Sequence, residues 1–407
     1  MKSILISAFA CDPKQGSEPG NGWKWASGIA VRGYNVILIT TSRSKSKIED
    51  AIHHMNLSDK LTVHYVDHSK FWARAYFWNF VFMYIAYWLW QRKIYVYVKK
   101  NKINNEISYI HHVTWGSLKV GSNLHKLKIP MLFGPVGGGQ ITPLKFKEYL
   151  GDDFLKEKLR NIFGKIIMLN NPLSIETLRN CQVLVTNTDT FNLVKNHAKF
   201  EPKLVFDASI PLWDDFEQHK RINIHFTLLW VGKINGFKGL RLILYSLIKL
   251  EKDVLSNLRL IIVGDGPDRN EMEKLVLKFK LESNICFVGR LDHSEVRKYY
   301  ANADVFIYTS LRDSFPGQIL EAQYFSLPVI TLDLHGQAIM VNENNGIKCS
   351  VNNPDKTIIE IRDAILLYYN NSIIRLLHGE NGRKHALGQT WDKKIDTIVN
   401  EYYPKIV

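Results

Sequence analysis

The chain has only four cysteines, Cys11, Cys181, Cys286 and Cys349, far apart and without a CxxC pair. That excludes a disulfide framework or a zinc-finger spacing and suits a reducing cytoplasm. No two aspartates stand two positions apart, so there is no DxD element to hold a divalent cation, and no metal or cofactor is expected. RNP-type aromatic motifs and arginine-rich tracts are missing too, which leaves nucleic acid unsupported as a partner. Met1-Lys2-Ser3 runs straight into the strand-like Ile4–Ala8, a start that does not read as a secretory leader. Acidic residues are outnumbered, 39 against 53 basic ones, for a net charge of +14. Such an excess suits anionic lipid or phosphorylated substrates.

Long aliphatic runs are also lacking. The apolar stretch 75–90, interrupted only by Asn79, is dominated by Phe, Tyr and Trp and is followed by Arg92, Lys93, Lys99 and Lys100. A spanning helix needs about 20 residues, mostly aliphatic at the centre. Three readings stand for 71–100: a helix docked on an anionic membrane surface, a helix in the core of the first domain, or, as the minor alternative, a transmembrane span.

With 46% hydrophobic and 23% charged residues the chain is globular, and 407 residues predict two domains. Short β-branched runs alternate with helical stretches, which predicts parallel βαβ units. Strands are expected at 4–8, 35–40, 61–66, 108–111, 131–134 and 183–186. A second alternation starts near Ile222, with strands at 227–231, 258–263, 285–288 and 305–308. Thr188 or Asp189 is expected to cap a helix over 190–197. Pro211 and a charged run place a linker at 206–221, between domains 1–205 and 222–390. Two doubly wound domains put ligands at the carboxyl ends of their strands.

The densest chemistry lies in 310–331, SLRDSFPGQILEAQYFSLPVIT. Pro316-Gly317 turns the chain into a helix starting near Gln318, whose unpaired N–H groups attract phosphate. Asp313 and Glu321 flank that anion site. As carboxylates they suit hydroxyls rather than phosphate, and phosphate beside hydroxyls describes a sugar nucleotide. Lys233 and Lys238 bracket a strand–helix turn from which both reach a diphosphate. Gly264 and Gly289-Arg290 end two further strands. In the first half, Gly16, Glu18 and Gly20 form a glycine-rich loop that is not GxGxxG. His111 and His112 end a strand, where neighbouring side chains point to opposite faces. Gly137, Gly138 and Gly139 make a sharp turn after 131–134.

These segments resemble glycosyltransferase family 4. Asp313 and Glu321 match its Glu-x7-Glu signature, with Asp in place of the first Glu. GSEPGNGW at 16–23 and GPVGGG at 134–139 resemble its cleft loops, and Lys233 with Lys238-Gly239 its basic pair, Lys replacing Arg. The resemblance implies the GT-B fold, two Rossmann-like doubly wound domains facing a cleft, with helix 391–407 packing back on the first. It implies a retaining hexosyltransferase using a nucleoside-diphosphate sugar, with uridine preferred, on a cell-envelope polysaccharide or lipid-linked acceptor. A cytoplasmic location follows, on the inner face of the membrane if 71–100 docks there.

By resemblance Asp313 holds a sugar hydroxyl, Glu321 the ribose, and Lys233 and Lys238 the diphosphate. Gly317, Gln318, Ile319 and Leu320 form the phosphate-facing turn, and the base rests near Gly289-Arg290, with Gly264 on the same side. One histidine, preferably His111, contacts the donor sugar. A sugar-nucleotide 2-epimerase of the same fold and a non-catalytic basic lipid-binding protein are the competing readings.

Overall fold

Thirteen strands form two all-parallel sheets in the computed structural model, which describes residues 2–213 and 224–405. The first sheet contains β1 (Ser3–Ser7), β2 (Val36–Thr40), β3 (Leu61–Tyr65), β4 (Ile107–His112), β5 (Met131–Val136), β6 (Gln182–Val185) and β7 (Lys203–Leu204). Its order is β3-β2-β1-β4-β5-β6-β7. The second contains β8 (Phe226–Val231), β9 (Leu258–Val263), β10 (Ile285–Gly289), β11 (Val305–Tyr308), β12 (Val329–Leu332) and β13 (Gly346–Cys349), ordered β10-β9-β8-β11-β12-β13. In each sheet the order reverses once, between β1 and β4 and between β8 and β11. Ligands of doubly wound sheets bind at the strand ends beside such reversals.

Every strand of a sheet covered on both faces must be apolar on both sides. In the first sheet Ile4, Ile6, Val36 and Leu38 join one core cluster while Leu5, Ile37 and Ile39 join the other. The strand period of two generates both cores.

The aromatic stretch forms two helices, Lys70–Ala75 and Phe80–Lys100. Asn79 caps the second, its side chain accepting from the Val81 and Phe82 amides. Tyr87, Trp90, Ile94 and Val98 of this helix lie at helical spacing and are buried against the first sheet. Truncating a ring such as Trp90 to alanine costs about 3–5 kcal/mol at a site of this kind. Phe71, Phe77 and Trp78 are exposed by 54%, 71% and 57% at the start of the same segment. No helix among the described residues is long and apolar enough to cross a membrane.

The chain divides into two compact units. One comprises Met1–Gly139, Phe163–Ala208 and Trp391–Val407, the other Gln140–Ile162 and Ser209–Thr390. An unbroken first domain over 1–205 is therefore corrected. Phe146, Tyr149 and Leu150 are buried with Leu228, Trp230 and Ile243 in the core of the second unit, so 140–162 belongs there. Of the expected linker, 214–221 lies outside the described residues, while 206–208 groups with the first unit and 209–213 with the second.

The last helix, Trp391–Tyr402, packs on the Ser17–Val31 helix, where a side chain on Gly28 would collide with Ile395. Arg32 fixes the crossing through Asp396 at 2.5 Å.

The helix after β6 begins at Thr188, and Asn187 caps it by accepting from the Thr190 amide at 2.9 Å. The cap expected at Thr188 or Asp189 thus lies one or two residues too late in the chain. Thr188 is already helical, while Asn187 is extended (φ −155, ψ 165), as an N-cap must be.

Candidate active site

In the second unit β8 and β11 adjoin at the reversal, and their carboxyl ends carry the expected donor residues. From β8 the chain passes Lys233, turns through Gly236–Lys238 and enters the Leu240–Leu247 helix. Gly239 makes this entry at φ +70, where any side chain would collide with the Thr309 carbonyl. The turn therefore lies against the end of β11, and Lys238 reaches across it.

Lys238 Nζ forms an ion pair with Asp313 and donates to the Tyr308 hydroxyl at 2.6 Å. Tyr308 in turn donates to Asp313 Oδ2 at 2.5 Å. Burial opposes the charge of Asp313, yet attraction to Lys238 and hydrogen bonds from Lys238, Tyr308 and the Phe315 amide hold its carboxyl below the usual range. Asp313 is thus an ionised group gripped on three sides. Lys233 is brought to the same turn but is exposed.

Gly317 opens the Gly317–Tyr324 helix, with Gln318, Ile319 and Leu320 in its first turns. Glu321 follows on this helix. It accepts from Tyr300 at 3.0 Å on one oxygen and meets His293 Nε2 at 3.0 Å on the other. The bond to Glu321 raises the His293 pKa above its ordinary value. Gly264 and Gly289 pair directly, amide to carbonyl at 2.8 Å, bringing the ends of β9 and β10 together, and Arg290 is exposed. Gly336 packs its backbone against Ser314, behind the Asp313 loop.

In the first unit, β1 and β4 adjoin at the reversal. The loop after β1 ends at Gly16, the N-cap of the Ser17–Val31 helix, so Glu18 and Gly20 lie in the first turns of that helix rather than in the expected glycine-rich loop. Glu18 Oε1 accepts from the Trp115 and Gly116 amides, the latter at 3.2 Å, and so ties the start of this helix to the segment after β4. Burial raises the Glu18 pKa against the pull of those two amides. Gly138 and Gly139 continue the turn beyond β5, and the Gly139 amide donates to Thr190 Oγ1 at 3.1 Å.

His111 and His112 are both buried, and burial lowers each pKa to about 3, so both rings are neutral. His111 Nδ1 meets the Tyr403 hydroxyl at 2.6 Å and Nε2 meets the Gly134 carbonyl at 2.8 Å. With both nitrogens engaged inside the fold, His111 has no group left for a sugar, against the preference for it. His112 Nε2 meets Tyr87 at 2.9 Å, while its Nδ1, near the Thr114 backbone, makes no well-formed hydrogen bond.

Sequence reading missed Tyr300, Tyr308 and His293, which orient the two acids. It also missed Asp12, whose buried carboxylate accepts from Ser44 at 2.7 Å and Lys47 at 3.0 Å. Tyr308 sits at the end of a recognised strand, which was a usable signal. Nothing local marked Tyr300 or His293. Among the described residues no group of three or more His, Cys, Asp or Glu is placed to hold a metal ion.

The family model described as glycosyl transferases group 1 matches residues 213–385, which carry every donor-side residue described above. Residues 213–385 belong to that family. An uncharacterized glycosyltransferase of Methanocaldococcus jannaschii is 26% identical over 171 residues, 41% of this chain and 42% of that protein. The undecaprenol-diphosphate-glycan alpha-1,4-N-acetyl-D-galactosaminyltransferase of Campylobacter jejuni is 24% identical over 251 residues, 61% of this chain and 62% of its own. The chain spans less than half the length of the first curated relatives it matches, 42% to 48%. HepE of Anabaena, solved in complex with UDP, superposes with a TM-score of 0.63 at 12% identity over 98% of this chain and 99% of that one. That likeness shows the fold, two Rossmann-like units of the GT-B class.

Proposed function

We propose that the chain transfers a sugar from a nucleoside-diphosphate sugar, a UDP-sugar by preference, to a cell-envelope polysaccharide or lipid-linked acceptor, with retention. The observation that carries this reading is the donor constellation at the β8/β11 reversal. There a half-buried lysine–carboxylate pair, a helix N-terminus and a second oriented carboxylate share one group 1 glycosyl transferase domain. The UDP bound by HepE and the undecaprenol-linked glycan in the name of the Campylobacter relative support donor and acceptor respectively.

In the proposed reaction the acceptor oxygen attacks the anomeric carbon on the face the nucleotide leaves. The bond from that carbon to the diphosphate oxygen breaks, and the acceptor proton passes to the departing phosphate oxygen. Lys238, Lys233 and the Gly317–Tyr324 helix terminus stabilise the charge that develops, without a metal ion. Glu321 takes the ribose hydroxyls and Asp313 a hydroxyl of the sugar. Of the two histidines, His112 is the one assigned to the donor sugar, because its ring makes one side-chain hydrogen bond where His111 engages both nitrogens. On the acceptor side, Phe71, Phe77 and Trp78, with Arg74, Arg92 and Lys93 nearby in sequence, rest on an anionic membrane face that carries the lipid-linked substrate.

The test is nucleotide release from a panel of sugar nucleotides with and without undecaprenyl-linked acceptors, the product's anomeric configuration read by NMR. Acceptor-dependent UDP release with retention is expected. Release of UDP and an epimerised sugar without any acceptor would replace the reading with the epimerase.

A further inference from the structure

Residues 140–162 lie far ahead of the rest of the second unit in the chain yet group with it, and the part of the Asp153–Asn170 helix that they include presents an ordered polar stripe to it. Asp153, Glu157 and Asn161 recur every four residues, which aligns them on one helix face. Asp153 Oδ2 accepts from the Gly236 amide at 3.1 Å, the first residue of the turn that carries Lys238. Glu157 Oε2 binds Arg312 Nε at 2.6 Å and accepts from Thr142 Oγ1 at 2.6 Å. Asn161 donates to the Thr142 carbonyl at 2.9 Å and accepts from its amide at 3.2 Å. One helix face therefore grips three loops: that of Lys238, that of Asp313, and the one following Gly139.

The central rung is the informative one. Glu157 is buried, and the Glu157 and Arg312 side chains are only 6% and 13% exposed. Arg312 immediately precedes Asp313, and its guanidinium lies 4.2 Å from the centre of the Phe237 ring, which immediately precedes Lys238. Two parallel rungs result, Arg312–Phe237 and Asp313–Lys238, and Glu157 anchors the outer one. The opposite face of the helix carries the exposed Leu155 and Leu159.

We infer that Glu157 is a positioning residue of the donor site: through Arg312 it sets the approach of the Asp313 loop to the Lys238 turn, and so the affinity for a nucleoside diphosphate. This rests on the function proposed above. An ion pair between two buried groups is a poor source of net stability but a specific one of geometry, since only one arrangement satisfies both partners.

The test uses the full chain and UDP, with calorimetric titration and thermal unfolding read side by side. Glu157→Gln keeps the shape and removes the charge; Glu157→Gln with Arg312→Gln also removes the stranded guanidinium. Lys158→Gln, on an exposed position of the same helix, is the control. We expect Glu157→Gln to lower both the melting temperature and the UDP affinity, the affinity by tenfold or more. The double variant recovers melting temperature but not affinity, and the control changes neither. UDP affinity equal to wild type in Glu157→Gln, or recovered together with stability in the double variant, overturns the inference alone. A wild-type chain that binds no nucleoside diphosphate overturns the proposed function, and the inference with it.

Discussion

His111 and His112 are consecutive on β4, and the first spends both ring nitrogens inside the fold while the second spends one. Loss of the His111 ring leaves a buried tyrosine hydroxyl and a backbone carbonyl without that partner, each worth about 1–3 kcal/mol. His111→Ala should lower unfolding free energy in urea by about 3 kcal/mol or more and reduce activity only in proportion to unfolding. His112→Ala should reduce kcat by about tenfold or more in chain that is still folded, as circular dichroism at the assay temperature checks.

Lys238 is the hub of the donor cluster, so its loss removes a cation from the diphosphate and leaves Asp313 buried without its counter-charge. Lys238→Met should reduce kcat/KM by about 10²–10³, the scale of losing one charge-stabilising donor. Lys238→Arg should restore part of that, because the charge returns but the fit to Tyr308 does not. Steady-state rates of UDP release read both.

The His293–Glu321 pair sets a pH dependence. The folded-state pKa of His293 is raised above its ordinary value of about 6.5, so the pair contributes fully below that pH. The contribution is lost as pH rises through the higher folded value. His293 is exposed, so the effect on melting temperature is small, about 2 °C at most between wild type and His293→Gln at pH 6, vanishing by pH 9. Affinity for UDP should move the other way, rising with pH as Glu321 is freed for ribose. The His293→Gln variant should show a flat profile by titration calorimetry.

The exposed rings at 71–78 predict lipid binding that depends on both charge and aromatic area. Wild-type chain should sediment with vesicles containing anionic lipid and much less with neutral ones. Phe71→Ser with Trp78→Ser should reduce sedimentation severalfold and leave the melting temperature nearly unchanged, because neither ring is in the core. Equal sedimentation of the variant would remove the membrane from the proposal.

Strands were legible because buried parallel strands are written in contiguous β-branched residues; β9 and β11 match their expected bounds. The two-residue β7 and the glycine-led β13 carry too little of that signal. The donor acids and lysines were legible because turn chemistry and charge cluster locally at strand ends. What stayed hidden is the pairing between them. Lys238 and Asp313 are 75 residues apart, Glu157 and Arg312 are 155 apart, and His111 and Tyr403 are 292 apart. A local window holds neither partner's view of the other. For the same reason segment 140–162 was read with the unit it follows rather than the one it packs into. The aromatic segment was written as a choice between core and surface, whereas its helix buries one stripe and leaves other aromatics bare.

The bond from Tyr403 to His111 has a consequence for how the molecule is made. A ribosome delivers β1 through β6 and the Ser17–Val31 helix before the second unit, but the helix that covers Gly28 and Trp25, and the tyrosine that closes on β4, emerge only after it. At about 5–20 residues per second the first unit waits on the order of ten seconds or more, with an apolar helix face uncovered, while the second unit is synthesised. The first unit is completed only once the second has been made, and during that interval a chaperone has reason to attend it.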